Sequence, residues 1–192
     1  MSNIKIEYMK EYGAGRVFVE TGTYLGDTVQ IALDAGYDLV HSIEVNQDMF
    51  DKCYERFKNN PKVKIWFGDS VDIVPQIAHE LNEPATFWLD AHASGPLPGG
   101  RYAPCPLVLE LQGIYGKEVV RITETGMQKQ REKSKIDTHT IMIDDRRLFG
   151  SPEWGYVQEV QVMQLLFQIN PNYQVRYLDG HQPNDIICAR VL

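Results

Sequence analysis

Three aspartates stand where a strand is expected to end. Asp90 closes the apolar run "FWLD", and Asp144 and Asp145 follow the apolar run "TIMI". Hard divalent cations such as Mg²⁺ and Mn²⁺ take carboxylate ligands in proteins, and adjacent carboxylates repel each other unless a cation or an arginine lies between them. The aspartates therefore predict either a divalent-metal site or, with Arg146 and Arg147 beside them, a local salt-bridged cluster.

A second group of residues predicts a site for a nucleotide-like ligand. The strand "RVFVE" runs into "ETGTYLGDT", where Gly22 and Gly26 permit a tight turn and a close approach to a ligand. The glycine spacing matches neither dinucleotide enzymes nor triphosphate-binding loops, so a plain tight turn stays open. Glu44, at the end of a second strand, can accept hydrogen bonds from ribose hydroxyls. Asp69 and Ser70 follow a third strand and could reach an adenine, although Asp69 could equally cap the next helix.

The elements that position these residues follow from the hydrophobic pattern. Short β-branched and aromatic runs alternate with helical patterns, which is typical of a parallel sheet with crossover helices. The last two strands are separated by "DGHQPN", which is too short for a crossover helix, so an antiparallel hairpin is expected there. The predicted strands are Arg16–Glu20, Leu39–Ile43, Val63–Phe67, Thr86–Leu89, Thr140–Ile143, Tyr173–Leu178 and Asp185–Val191.

Two segments late in the chain complete the predicted architecture. Ser151 and Pro152 read as the start of a helix that buries Val160, Met163 and Phe167. Residues 117–137 are polar, hold six basic and four acidic residues, and read as an insertion that is partly helical or mobile. This insertion is either a solvated excursion or a lid that contacts the acceptor. We expect one domain over residues 1–192.

Composition limits the classes of function. The chain has 192 residues, 19 basic and 26 acidic side chains and a formal net charge of -7. This charge argues against broad nucleic-acid binding, which needs a positive surface. The three cysteines are far apart and indicate neither a disulfide framework nor a zinc site. Because no apolar stretch reaches about 18 residues, no membrane span is predicted, and a cytoplasmic location is the default expectation.

The order of the glycine-rich turn, Glu44, Asp69 and Asp90 resembles a class I S-adenosylmethionine-dependent methyltransferase. The resemblance covers about residues 17–111 and 140–190. It implies a Rossmann-like α/β fold with a seven-stranded, mostly parallel sheet, an antiparallel last strand and helices on both faces. It also implies that S-adenosylmethionine is the cofactor. The cofactor-binding residues that it implies are Glu20, Thr21, Gly22, Thr23, Tyr24, Gly26, Thr28, Glu44, Asp69, Ser70 and Asp90.

The same resemblance assigns parts of the cofactor to particular residues. Glu20, Gly22 and Gly26 would line the methionine part, Thr28 would meet its carboxylate, and Tyr24 would lie over the sulfonium side. The acidic residue after the second strand would hold the ribose, and the pair after the third strand would hold the adenine. A nucleotide-type fold that binds a different ligand stays open.

The aspartates resemble those of metal-dependent O-methyltransferases of the catechol type and of the sugar-modifying type. The resemblance implies Mg²⁺ or Mn²⁺ bound by Asp90, Asp144 and Asp145. A catechol-type enzyme carries a lysine base three residues after the first aspartate, where this chain has Ala93. In the sugar group the base is a second acidic residue two positions on, where this chain departs from the pattern and has His92. A histidine suits the role of general base, so Asp90 and His92 are the candidate catalytic residues. His92 could instead be a metal ligand or a hydrogen-bond partner of one.

The acceptor is inferred from the segment that follows. The run "SGPLPGGRYAPCP" reads as a shaped loop over the site, and Arg101, Tyr102 and Arg147 are candidate acceptor contacts. The expected function is metal-assisted methyl transfer to a sugar hydroxyl of a glycan or glycosylated metabolite. The alternatives are a catechol or small-phenol O-methyltransferase and a non-catalytic S-adenosylmethionine-binding protein. The expected partner is a carbohydrate or small molecule, not a nucleic acid or a membrane, and a homodimer stays open.

Overall fold

The protein is described by a computed structural model that covers residues 3–91, 105–123 and 126–192. None of the helices in these residues has the length and apolar character needed to cross a lipid bilayer. Helices and strands alternate through most of the chain. In order, the elements are α1 (Ile6–Tyr12), β1 (Val17–Thr21), α2 (Asp27–Ala35), β2 (Leu39–Glu44), α3 (Gln47–Phe57), β3 (Val63–Phe67), α4 (Ser70–Glu80), β4 (Ala85–Leu89), α5 (Leu107–Tyr115), β5 (Gly116–Thr123), β6 (Gly126–Lys133), β7 (Thr140–Ile143), α6 (Glu159–Ile169), β8 (Gln174–Leu178) and β9 (Ile186–Arg190).

Seven of the described strands form one sheet in the order β3-β2-β1-β4-β7-β9-β8. Strands β3, β2, β1, β4 and β7 pair in parallel, so their carboxyl ends lie at one edge of the sheet. Strand β9 runs antiparallel to both β7 and β8. The prediction of a mostly parallel, seven-stranded sheet with an antiparallel last strand is confirmed, and so is the hairpin at the end of the chain.

The two faces of the sheet bury separate apolar layers. Successive residues of a strand point to opposite faces, and this alternation divides the fully buried strands β1 and β4. Phe18 and Trp88 pack in the cluster that includes residues of α1, α2 and α3. Val19 and Phe87 pack in the cluster that includes residues of α4, α5 and α6. The result is a sheet covered by helices on both faces, which leaves its carboxyl edge as the place where polar residues gather.

The segment predicted as an insertion is a two-stranded antiparallel ribbon, made of β5 and β6 and separate from the main sheet. The expectation of partly helical structure for it was wrong, because its described residues form strands. Its cross-strand partners bring opposite charges together, as for Glu118 and Arg131, and Lys129 also contacts Glu118. Such pairs stabilise adjacent strands without an apolar face, which is why hydrophobic periodicity did not predict the ribbon.

The helix expected from Ser151 starts later. Pro152–Trp154 forms only a short 3-10 turn, which ends at Gly155 in the left-handed region with φ of 60°. Helix α6 begins at Glu159, where the side chains of Gln158 and Gln161 form a capping box. The buried residues of the helix are Val162, Leu166 and Ile169, while Val160 and Phe167 are exposed rather than buried as predicted.

One buried histidine joins the sheet to the loop before β7. The Nδ1 atom of His139 accepts a hydrogen bond of 3.1 Å from the backbone N–H of Ala85, and its ring packs edge-on against Phe87 with centroids 5.0 Å apart. Burial lowers the pKa of His139 to about 4, so the imidazole is uncharged at neutral pH. Its neutral Nδ1 atom thus satisfies the backbone N–H group at the start of β4.

This environment makes His139 a source of acid sensitivity. The unfolded chain takes up a proton near the ordinary histidine pKa of about 6.5, whereas the folded chain resists protonation down to about 4. His139 therefore lowers the free energy of unfolding as the pH falls through this window. Asparagine can place an oxygen near the position of Nδ1 and does not titrate. We expect the stability advantage of the wild type over His139→Asn, measured by urea denaturation, to shrink by about 2 kcal/mol between neutral pH and about pH 4.5.

The control is His181→Asn, which changes an exposed histidine in the turn between β8 and β9. Its unfolding free energy should stay parallel to that of the wild type across the same pH range. A pH-independent difference between the wild type and His139→Asn would contradict the buried, uncharged state of His139.

Candidate functional site

The carboxyl edge of the sheet collects the predicted cofactor and metal residues that the structure describes. Thr21 is in register with Leu89, and Leu89 is in register with Ile143, so β1, β4 and β7 end side by side. On the other side of β1, Glu44 at the end of β2 pairs with Phe67 at the end of β3. The residues that follow these strands are therefore neighbours, as expected at the edge where α/β folds bind ligands.

The turn after β1 is tight because its backbone enters the left-handed region three times, at Gly22, Tyr24 and Gly26, with φ of 85°, 50° and 78°. A Cβ atom on Gly22 would lie 2.6 Å from the backbone oxygen of Asp90, and one on Gly26 would lie 2.7 Å from the ring of Phe57. The space that each glycine leaves is thus filled by the chain itself. The tight turn is as predicted, while close approach to a ligand at these glycines stays a prediction.

Glu20 is fully buried beneath this turn. The hydroxyl of Ser42 donates a hydrogen bond of 2.5 Å to Oε1 of Glu20, and the hydroxyl of Thr23 lies 2.5 Å from that of Ser42. Thr28, at the start of α2, is also buried, and its hydroxyl opposes the rise in the pKa of Glu20. Within the described residues, Oε2 of Glu20 has no hydrogen-bond partner. Burial above all, and then the charge of Asp90, raises the pKa of Glu20 to about 8.

Glu44 fixes the turn from the neighbouring strand. Its Oε2 accepts a hydrogen bond of 2.8 Å from the backbone N–H of Tyr24, and its Oε1 accepts one of 2.8 Å from Asn46. An ionised carboxylate has about four lone-pair positions, so each oxygen can accept a further hydrogen bond. The buried Glu44 therefore organises the turn and keeps acceptor capacity for a ligand diol. The Tyr24 side chain itself is 53% exposed.

Asp69 caps helix α4, as the alternative interpretation of this residue proposed. Its Oδ1 accepts a hydrogen bond of 3.0 Å from the backbone N–H of Val71. Ser70 begins the helix and is buried. An adenine contact from this pair stays a prediction, and capping by itself accounts for the aspartate at this position.

Beyond β4 and β7, the edge is acidic. Asp144, Asp145 and Asp185 are buried and can each bring a carboxylate oxygen within 4.8 Å of the others. Asp90 is half-buried, and its backbone N–H donates a hydrogen bond of 3.2 Å to Oγ1 of Thr21. Burial, followed by the charges of Asp90 and Asp145, raises the pKa of Asp144 to about 7. Of the three predicted metal-ligating aspartates, Asp144 and Asp145 lie in this group together with Asp185, whereas Asp90 is outside it and acts on Asp144 through its charge.

The two oxygens of Asp144 have different partners. Oδ1 accepts a hydrogen bond of 2.8 Å from the backbone N–H of Asp145, and Oδ2 accepts one of 3.1 Å from the side-chain amide of Asn3. Asp145 itself has φ of 56°. Aspartate tolerates this left-handed conformation better than most residues do. The N-terminal segment thus contributes to the acidic edge through Asn3, a contact that the sequence did not predict.

Arg147 supplies positive charge to this group. Its Nη1 atom contacts both Asp145 and Asp185, and its backbone N–H donates a hydrogen bond of 3.0 Å to Oδ1 of Asp185. Arg146 points elsewhere, pairing with Glu159 at 3.0 Å. The salt-bridged cluster, which was the alternative to a metal site, is therefore present around Arg147. The guanidinium of Arg147 is engaged by two carboxylates. The contact of Arg147 with the acceptor stays a prediction.

Three candidate residues lie outside the described residues: His92, Arg101 and Tyr102. The roles predicted for them, general base for the histidine and acceptor contacts for the other two, stay predictions. The sequence analysis also missed two buried acids. Asp185 immediately precedes the antiparallel strand β9, so the predicted hairpin already implied its place at this edge. Glu110 stands alone in the apolar helix "LVLELQGIY", a pattern that signals a buried acid.

Comparison with known proteins adds information about the fold. No protein-family model matches the sequence, and no curated protein matches it. An O-methyltransferase from Bacillus cereus in complex with S-adenosylhomocysteine has a TM-score of 0.60 and 15% identity over 97% of this chain and 78% of that chain. The S-adenosylhomocysteine-bound methyltransferase of Podospora anserina has a TM-score of 0.58 and 11% identity over 97% and 76%.

A third similar structure is the spermidine synthase of Thermotoga maritima, with a TM-score of 0.58 and 11% identity over 98% of this chain. The match spans 57% of that protein, so this chain corresponds to little more than half of it. Likeness at this level of identity concerns the fold. With its strand order, its antiparallel β9 and these neighbours, the chain has the Rossmann-like fold of class I S-adenosylmethionine-dependent methyltransferases.

Proposed function

We propose that the chain is an S-adenosylmethionine-dependent O-methyltransferase that uses a divalent cation and modifies a sugar hydroxyl of a glycan or glycosylated metabolite. One observation carries the proposal. On a class I methyltransferase fold, Glu20, Glu44 and Asp90 gather at the cofactor edge, and the acidic group of Asp144 and Asp145 lies directly beside them. The first set suits a cationic nucleoside, and the second suits a metal ion.

The charges of the residues proposed for the cofactor suit S-adenosylmethionine. With its pKa raised to about 8, Glu20 is largely protonated at neutral pH, and a ligand with ammonium and sulfonium charges would favour its ionised form beside Glu44 and Asp90. The Oε2 atom of Glu20 is buried without a hydrogen-bond partner among the described residues. A buried polar atom left unsatisfied is costly, so a donor from the ligand, directly or through water, would remove that cost. Glu44 can hold the ribose diol with its remaining lone pairs.

The acidic side fits a hard divalent cation in its donors. Carboxylate oxygens are the preferred ligands of Mg²⁺ and also suit Mn²⁺. Asp90, Asp144 and Asp145 would hold the ion, and Asp185 is the further carboxylate within reach of the pair. Arg147 competes with the ion for Asp145, because it already contacts that carboxylate and Asp185. Burial above all, and then the charges of Asp90 and Asp145, raises the pKa of Asp144, and a bound cation would favour its ionised form.

The chemistry requires an alcohol to lose its proton while its oxygen is aligned with a methyl donor. S-Adenosylmethionine supplies an electrophilic methyl group, and a bound divalent cation supplies Lewis acidity that eases deprotonation of the hydroxyl. The chain has to hold both reactants in line and exclude water from them, which supplies much of the catalysis in such transfers. Asp90, at the junction of the two regions, would fix their relative position. We propose His92 as the base that accepts the proton.

The class of acceptor is inferred from the sequence around Asp90. Alanine replaces the lysine base of the catechol type, which favours the sugar-modifying type. A small phenol is the second candidate, because the glycine-rich turn and the pair of Asp144 and Asp145 also resemble the catechol type. The carboxylate-rich edge would also suit a cationic amine, and one similar structure is a spermidine synthase. A protein that binds the cofactor without transferring a methyl group is the non-enzymatic alternative.

Glutamine in place of Glu44 tests the cofactor site. We expect the wild type to bind S-adenosylhomocysteine in titration calorimetry, and Glu44→Gln to bind it about tenfold or more weakly, because a charge-assisted hydrogen bond to the diol is lost. Glu55→Gln is the matched control, since Glu55 is an exposed residue of α3 that pairs with Lys58. Equal affinity of Glu44→Gln and the wild type would contradict the assignment of the ribose to Glu44.

Asparagine in place of Asp144 tests the metal site. This change keeps the size of the side chain and removes a charged ligand, so methyl transfer should fall at least about 100-fold while S-adenosylhomocysteine affinity stays within about twofold. Asp34→Asn, on the exposed side of α2, is the control and should retain activity. Full activity of the wild type in excess chelator would contradict a role of the metal in the mechanism.

An acceptor panel separates the candidate functions. Purified protein with S-adenosylmethionine and Mg²⁺ or Mn²⁺ is incubated with deoxysugar glycosides, simple catechols and diamines, and methyl transfer is followed by mass spectrometry. We expect a mass gain of one methyl group on a glycoside. Rapid methylation of catechols without transfer to sugars would establish the phenol alternative, and cofactor binding without transfer or metal affinity would support the binding protein.

A further inference from the structure

The N-terminal segment follows strand β7 from one edge of the sheet to the other. At the amino edge, the hydroxyl of Thr140, the first residue of β7, donates a hydrogen bond of 2.7 Å to the backbone oxygen of Tyr12, the last residue of α1. At the carboxyl edge, the side-chain amide of Asn3 donates one of 3.1 Å to Oδ2 of Asp144, which directly follows β7. The segment is therefore tied to both ends of the strand that leads to a proposed metal ligand.

Two further contacts fix where Asn3 lies. Its neighbour Ile4 is only 3% exposed and packs in the apolar cluster on the α1 side of the sheet. The hydroxyl of Tyr8 donates a hydrogen bond of 3.2 Å to the backbone oxygen of Asp179, in the turn between β8 and β9. Because burial of a side chain as large as isoleucine stabilises one path of the chain, Asn3 reaches Asp144 from a segment that is anchored in the core.

The hydrogen bond from Asn3 completes the support of the Asp144 carboxylate. The other oxygen, Oδ1, accepts a hydrogen bond of 2.8 Å from the backbone N–H of Asp145. With one donor on each oxygen, the plane of the carboxylate is fixed, while each oxygen keeps a lone pair for a cation. Asp144 is 2% exposed, so bulk water does not readily replace a donor that is lost.

The chemical type of the donor suits a site for a cation. The amide of Asn3 is uncharged, so it orients the carboxylate of Asp144 and leaves its negative charge available. The neighbouring carboxylate of Asp145 is contacted instead by the guanidinium of Arg147, which carries the same sign of charge as a metal ion and competes with it. Of the two adjacent aspartates, Asp144 is thus the one that is oriented without being neutralised by an ion pair with Arg147.

We propose that Asn3 is a positioning residue for the divalent cation, which holds the carboxylate of Asp144 in the orientation that metal binding needs. This inference rests on the proposed function, because it needs the acidic edge to bind a cation. Asn3 acts through Asp144 and is not itself a ligand of the ion. The proposal gives the segment before α1 a role in the site.

Alanine in place of Asn3 tests this role through metal affinity. We expect the dissociation constant for Mn²⁺, measured by titration calorimetry on the otherwise unliganded protein, to rise about tenfold, because partners that orient metal ligands typically contribute this much. Affinity for S-adenosylhomocysteine should stay within about twofold, because Asn3 supports the metal ligand and not the turn after β1. Asn59→Ala, which truncates an exposed asparagine after α3, is the matched control and should change neither constant.

A spectroscopic measurement reports on the contact itself. The side-chain amide resonances of Asn3, assigned in proton–nitrogen correlation spectra by their absence from Asn3→Ala, should shift when Mg²⁺ is added to the wild type. The reason is that their acceptor is a carboxylate whose charge the ion would share. The amide resonances of Asn59 should not move. Unchanged Asn3 resonances in a protein that is saturated with Mg²⁺ would contradict the proposal.

The outcomes separate this inference from the proposed function. If the wild type does not bind Mn²⁺, the metal site of the proposed function fails and the role of Asn3 fails with it. If the wild type binds Mn²⁺ and Asn3→Ala binds it equally well or more tightly, only the positioning role is overturned. A lower Tm of Asn3→Ala with unchanged Mn²⁺ affinity would also overturn it, because that result describes a residue that only stabilises the fold.

Discussion

Asp90 lies among carboxyl groups that the fold removes from water. Its negative charge contributes to the raised pKa of Glu20, Glu110 and Asp144, which come from three different elements, although burial is the larger cause for each. Burying so many acids near one charge opposes folding unless protons, hydrogen bonds or cations compensate. The hydroxyl of Ser42 beside Glu20 and the guanidinium of Arg147 compensate in part. The negative charge that stays uncompensated favours ligands that carry positive charge. A sulfonium cofactor and a metal ion would therefore both suit this edge.

The ends of the strands determine where the acidic residues of this edge lie. At the end of β1, the side chain of Glu20 lies on the face of the sheet that is covered by α2, where it contacts Ser42. The side chain of Thr21 lies on the opposite face, near α5 and Glu110. Two successive residues thereby connect both helical layers to the same edge. Gly22 then brings the turn against the backbone of Asp90, where any larger residue would clash. The close contact of β1 with β4 explains how the residues proposed for the cofactor and those proposed for the metal become neighbours.

Much of this arrangement could be predicted from the sequence, because apolar runs mark buried strands and the first polar residue after each run marks the edge. Glu44, Asp69, Asp90 and Asp144 were located in this way. The ribbon of β5 and β6 escaped prediction, because it rests on pairing between polar strands. The buried stripe of α6 was misplaced because two sets of residues in this helix have helical spacing, and only packing against the sheet decides which set is buried. The contacts of Asn3 and Arg147 depend on tertiary neighbours far apart in sequence, and no local pattern encodes them.

The most direct test of the account is a crystal structure of the protein grown with S-adenosylhomocysteine and Mn²⁺, with anomalous diffraction recorded at the manganese edge. The account predicts a manganese peak bound by Asp90, Asp144 and Asp145, with Arg147 separated from Asp145, and the nucleoside between Glu44 and the turn after β1. A structure in which the ligand occupies that turn while Arg147 stays between Asp145 and Asp185 without manganese would contradict the metal site. A nucleoside bound elsewhere, or none, would contradict the central claim.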